Sequence, residues 1–124
     1  MIPFMNARLD EQENHARRLL CTAQDTLLTL ADPKLLGKHI PGWYAWRDVG
    51  TLCTTTLREV AAKRARLALM IEATEEMDRL VADDDVSTPD QTMAIGRCRA
   101  ATVAVKHDAA VYSDHPDYQR RWAP

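Results

Sequence analysis

The stretch TTTLREVAAKRARLALMIEATEEMDRLVA, residues 54–82, decides the fold. It contains no glycine or proline and is dense in Ala, Leu, Arg, Glu and Met, the residues that lose least on entering a helix. Leu57, Val60, Leu67, Ile71, Met77 and Val81 recur at helical spacing, with Arg64 and Thr74 interrupting the stripe. Thr56-Leu57-Arg58-Glu59 has the form of a capping box, which places the helix start near residues 54–56 and its end near Ala82. The charges run against the helix dipole: Arg58, Lys63, Arg64 and Arg66 come early, and Glu72, Glu75, Glu76 and Asp78 come late. The first helix is also acidic early. An antiparallel neighbour would therefore set acid beside acid, which leaves a parallel pairing, divergent faces or a neutralising partner as alternatives.

On the N-terminal side, residues 32–52 (DPKLLGKHIPGWYAWRDVGTL) are punctuated by Pro33, Gly37, Pro41, Gly42 and Gly50. They read as a long irregular loop, held down by Trp43, Tyr44 and Trp46, with a short helical turn from Trp43 to Asp48. Before it, residues 3–30 read as a helix. Pro3 suits a first helical position, and Met5, Leu9, Ala16, Leu19, Ala23, Leu27 and Leu30 form its stripe, broken at Gln12. Glu13 stands four residues before Arg17, the favourable order for an ion pair. Asp32-Pro33 ends the helix.

On the C-terminal side, DDDVST turns the chain. Thr88-Pro89-Asp90-Gln91 then opens a third helix over residues 89–112, with Thr as N-cap, Pro at N1 and Gln at N3. Its apolar side chains are small: Ala94, Ile95, Cys98, Ala101, Val105 and Ala109. The expected fold is a single all-α domain over residues 1–124. It is a bundle of three long helices, with a long aromatic-bearing loop after the first and a short C-terminal turn packed on the bundle.

The totals agree. The 124 residues are one domain's length and need no staple to bury a core. Only 6% are aromatic and four are glycine, so the core rests on Leu, Ala, Val, Ile and Met. A net charge of −2 argues against a general nucleic-acid or membrane-surface binder. Cys21, Cys53 and Cys98 are odd in number and far apart, so they form neither a disulfide framework nor a zinc site. They read as reduced, buried hydrophobes in a cytoplasm. The charged first twenty residues do not resemble a signal peptide, and no apolar run spans a bilayer.

Few residues carry a chemical pattern. Glu72, Glu75 and Glu76 lie one turn apart on a helical face, as in the metal-binding carboxylate pair of all-helical nucleotide hydrolases. That chemistry needs a second acidic pair, which the third helix lacks. Asp83-Asp84-Asp85 lacks the glycine and spacing of a calcium loop. His107-Asp108 is the central dipeptide of a class of metal phosphohydrolases, but His15 and His39 do not complete its ligand set. Arg58, Lys63, Arg64 and Arg66 form a candidate basic patch, joined by Arg97, Arg99 and Lys106 if the helices converge, with no aromatic interleaving to support nucleic-acid binding. None of these patterns calls for a cofactor.

The tail YSDHPDYQRRWAP, residues 112–124, is rich in rings and turn-setting residues. Pro116 suits N1 of a short turn, with Asp117 at its positive start and Arg120 and Arg121 at its negative end. Tyr118 and Trp122 are then four apart, on one face. Residues 113–124 read as a clasp folded onto the helices, or as a surface presenting Asp114, His115 and Asp117 to a partner.

The same tail, with ARLDE at residues 7–11 and LREVAAKR at residues 57–64, resembles a family of small uncharacterised proteins of actinobacteria and their phages. Its members share a tail close to Y-x-D-H-P-D-Y-x-x-x-W-x-P, which here takes in Tyr112, Asp114, His115, Pro116, Asp117, Tyr118 and Trp122. The chain departs from the family just before Leu57, where Leu52-Cys53 stands in place of an Asp-Pro helix opening. The resemblance implies an actinobacterial or phage source and supplies no activity. The leading expectation is a non-enzymatic helical interaction protein of the bacterial cytoplasm, with a protein partner of which a second copy is the economical form. The alternatives are a metal-dependent all-helical nucleotide hydrolase on Glu72, Glu75 and Glu76, and a nucleic-acid-binding accessory protein or virion component.

Overall fold

A computed structural model describes residues 1–31, 42–83 and 88–124, without the side chains of Trp43 and Thr88. The described residues form three α-helices, α1 (Ile2–Leu30), α2 (Trp43–Ala82) and α3 (Thr88–Ala110), followed by a short 3-10 turn, Arg120–Trp122. No strand occurs among the described residues. The expected all-α bundle of three long helices, closed by a short C-terminal turn, is the observed architecture. The chain end of α1 at Asp32-Pro33, His39, most of the DDDVST interval and the N-terminal part of the loop lie outside the described residues.

The second helix begins at Trp43 rather than near residue 54, so Trp43, Tyr44 and Trp46 belong to a helix and not to a loop. Gly42 sets the start: its φ of +89° is open to glycine and costly for other residues, and its carbonyl accepts the Trp46 N–H at 3.0 Å. The threonines do not cap. The Oγ1 atoms of Thr54, Thr55 and Thr56 donate to the carbonyls of Gly50, Thr51 and Leu52 at 2.9, 3.1 and 3.1 Å, bonds possible only inside an existing helix. This extension removes the charge conflict. Arg58 through Arg66 now lie mid-helix, and the acidic run stops before a last turn that holds Arg79. The dipole acts only on the end turns.

The chain divides into two compact units, one of Met1–Ala7 with Ala62–Pro124 and one of Arg8–Ala61. In the Arg8–Ala61 unit, Leu9, Ala16, Ala23, Cys53 and Val60 are buried. α2 passes α1 at Gly50, where a Cβ would sit 3.9 Å from Leu20 Cδ1, an ordinary contact. Leu19, expected in the stripe, is exposed instead. Glu13 and Arg17 form the expected pair, at 2.6 Å.

In the other unit, α2 and α3 run antiparallel. Contacts descend α2 as they climb α3: Leu80 with Gln91 (3.1 Å), Glu76 with Arg97 (3.3 Å), Thr74 with Cys98 (3.6 Å) and Arg66 with Asp108 (2.7 Å). Gln91 donates its side-chain amide to the Leu80 carbonyl, one of the acceptors left open by the last turn of α2. The core is Met5, Leu67, Met70, Val105 and Ala109, with Met1, Ile2, Phe4, Ile71, Ala101, Tyr112 and Tyr118 packed against it. Val81, expected in the α2 stripe, is exposed.

Candidate functional site

The chain end closes on the chain start. α3 tightens at its exit, where the N–H groups of Tyr112 and Ser113 reach the carbonyls of Ala109 and Ala110 at 3.0 and 3.1 Å. His115 to Tyr118 then form a β-turn, with Tyr118 N–H on the His115 carbonyl at 2.9 Å and Pro116 at the second position, which its fixed φ suits. His115 Nδ1 also accepts the Asp117 N–H at 3.2 Å. Gln119 is extended, and the 3-10 turn begins at Arg120 rather than at Pro116. The proline is spent on the β-turn, so Asp117, Arg120 and Arg121 do not order themselves along a helix dipole.

This path delivers Trp122 to Phe4. The two rings stand 4.9 Å apart, and Trp122 is 8% exposed. Around Phe4 lie Tyr112 at 6.2 Å, His115 at 5.7 Å and Tyr118 at 6.3 Å, all edge-on, and Tyr118 meets Trp122 edge-on at 5.8 Å. The edge-on pairs have separations and angles favoured for aromatic rings, while Phe4 and Trp122 are tilted at 40°. Tyr112, His115, Tyr118 and Trp122 therefore pack together around Phe4. Asp114, Pro116 and Asp117 remain exposed. Phe4, the ring on which the tail converges, escaped the sequence reading. It is the chain's lone phenylalanine, next to the helix-opening Pro3.

Three of the four candidate basic residues are engaged within the chain. Arg66 gives a two-pronged hydrogen bond to Asp108, at 2.7 and 2.8 Å, which raises the guanidinium above its usual value. Lys63 sits over the Tyr112 ring, 5.3 Å from its centroid. Arg64 is half-buried and engaged, as is Gln12. Arg58 is exposed in the Arg8–Ala61 unit. Of the acidic residues, Glu72 and Glu75 are exposed and Glu76 accepts from Arg97. Among the described residues no three His, Cys, Asp or Glu side chains converge as a metal site. His15 and His107 are exposed. Cys53 is buried and Cys98 half-buried, but Cys21 is exposed, contrary to its reading as a core residue. Its neighbours Leu20 and Ala23 take the inward positions of that turn.

A surface that the sequence reading also missed lies on α3. Met93 is 61% exposed, Val103 49% and Val111, just past the helix end, 68%; Leu69 on α2 is 59% exposed. The inner side of α3 is apolar too, so the helix has no wholly polar face. Periodicity analysis finds one stripe when polar residues mark the other side; here nothing marked it.

The molecule is thus an all-helical protein of the hairpin-bundle class, closed by an aromatic clasp between its two termini and bearing an apolar outer helix face. The chain belongs to DUF6221, a family of unknown function whose model matches residues 1–124. No curated protein and no solved structure matches it. No helix among the described residues is long and apolar enough to cross a membrane.

Proposed function

We propose that the protein is a non-enzymatic helical interaction protein acting in the cytoplasm of an actinobacterium, encoded by the bacterium or by its phage. The exposed apolar row on α3, with Met93 and Val103 at its centre, carries the reading. Apolar side chains clustered on one side of a helix, with no polar group of their own to satisfy, are the usual mark of a surface that another protein covers. The capture of Arg66 by Asp108 and of Lys63 by Tyr112 counts against the nucleic-acid alternative. The pairing of Glu76 with Arg97 counts against a metal centre on the acidic face. The tail motif supports the actinobacterial or phage setting, and three unpaired cysteines suit a reducing compartment.

A photo-crosslinking residue in place of Met93, activated in the producing cell, tests the reading. The expected result is a discrete heavier adduct that disappears when Val103→Glu is added. Absence of any adduct, or adducts indifferent to Val103→Glu, would contradict it.

A further inference from the structure

The choice of a partner rests on the interaction reading proposed for α3. Met93, Gly96, Ala100, Val103 and His107 follow one another on this helix in steps of three and four, so they share one face. All five are exposed, and none carries a formal charge. They lie opposite the side that buries Ala94, Val105 and Ala109. Gly96 is the informative position. Glycine weakens a helix interior relative to alanine, and a Cβ at Gly96 would meet nothing within 4 Å. Among the described residues no contact requires it, and its missing side chain leaves room for a second backbone to approach.

We infer that this face seats a second copy of the chain, with α3 of each copy lying along the outer face of α2 of the other in a two-fold dimer. Charge selects that arrangement. Exposed Arg97 and Arg99 border the α3 face; Arg97 is already held by Glu76 of its own chain, so Arg99 is the cation that a second α3 laid on the face would set against its like. The outer side of α2 in the same unit supplies the opposite chemistry: exposed Ala65 and Leu69 followed by the carboxylates Glu72 and Glu75. Laid on α3, it places Leu69 against the small residues Gly96 and Ala100 and its carboxylates beside Arg99. Area points the same way. The α3 face alone is about 25 Å long and 10 Å wide, well short of the roughly 800 Å² per partner of a stable interface. A two-fold axis uses the α2–α3 contact twice and closes the assembly.

Sedimentation equilibrium across the micromolar range tests this. The wild-type chain is expected to dimerise. Ala100→Glu and Leu69→Lys are each expected to weaken the dimer by about 100-fold or more, because each buries an uncompensated charge in the contact. Leu28→Glu, at an exposed position of the Arg8–Ala61 unit, is expected to leave association unchanged. Thermal melts check that the variants fold, and Val103→Lys provides a second α3 substitution at an exposed position. The double exchange Glu72→Lys, Glu75→Lys weakens the dimer, and adding Arg99→Glu restores part of the loss. A monomer at every concentration, or a dimer indifferent to Ala100→Glu and Leu69→Lys, overturns the inference. A monomer whose Met93 adduct contains a different protein overturns the second-copy partner and leaves the interaction reading standing. A monomer with no adduct ends both.

Discussion

Phe4 and Trp122 stand 118 positions apart in the chain and 4.9 Å apart in space. Trp122 is the more deeply buried, so Trp122→Ala is expected to lower stability by about 3–5 kcal/mol, as for other buried tryptophans. Phe4→Ala should cost somewhat less, because Phe4 is half-buried. The two losses should fall short of additive, since each substitution removes the other's partner. Urea denaturation of the single and double variants measures this; additive losses, or an unchanged midpoint for Trp122→Ala, would contradict the clasp. The folding of the tail was legible in its own composition, because two prolines and three rings in 13 residues are wasted on a frayed end. The residue it folds onto was not. An aromatic side chain at a chain terminus has no periodic neighbours to mark it, and its partners lie at the other end of the sequence.

Among the elements, α2 is the one whose reading failed at an end. Serine and threonine hydroxyls offer the same chemistry to an N–H of a first turn and to a carbonyl four residues back. Thr54-Thr55-Thr56 therefore looked like a start, although the helix was already eleven residues old at Thr54. Only the upstream conformation distinguishes the two, and it depends on packing such as that of Cys53, which is buried in the upstream stretch. Two substitutions check the longer helix. Gly50→Ala is expected to stabilise by roughly 0.5–1 kcal/mol, since Gly50 is interior to a helix and its new methyl would make an ordinary contact with Leu20. Thr56→Ala is expected to change stability by less than about 0.5 kcal/mol, where loss of a true N-cap costs about 1. A destabilised Gly50→Ala, or a Thr56→Ala loss of cap size, would restore the shorter helix. α3 was read to within two residues at each end, because Thr88-Pro89 marks its start clearly. Its outer face was invisible because the inner face is equally apolar.

For the molecule as a whole, the clasp and the outer face lie in one unit. The tail, Phe4, the α2–α3 pair and the exposed row from Met93 to His107 all belong to Met1–Ala7 with Ala62–Pro124. The clasp fixes the end of α3 from within, and the same helix presents uncharged side chains outward. The account therefore predicts association confined to this unit. Hydrogen–deuterium exchange at low and high protein concentration tests that most directly. Amides of residues 62–76 and 92–108 should exchange more slowly as concentration rises, while those of residues 8–30 stay unchanged. Exchange that is independent of concentration throughout, or slowed only within residues 8–61, would contradict it.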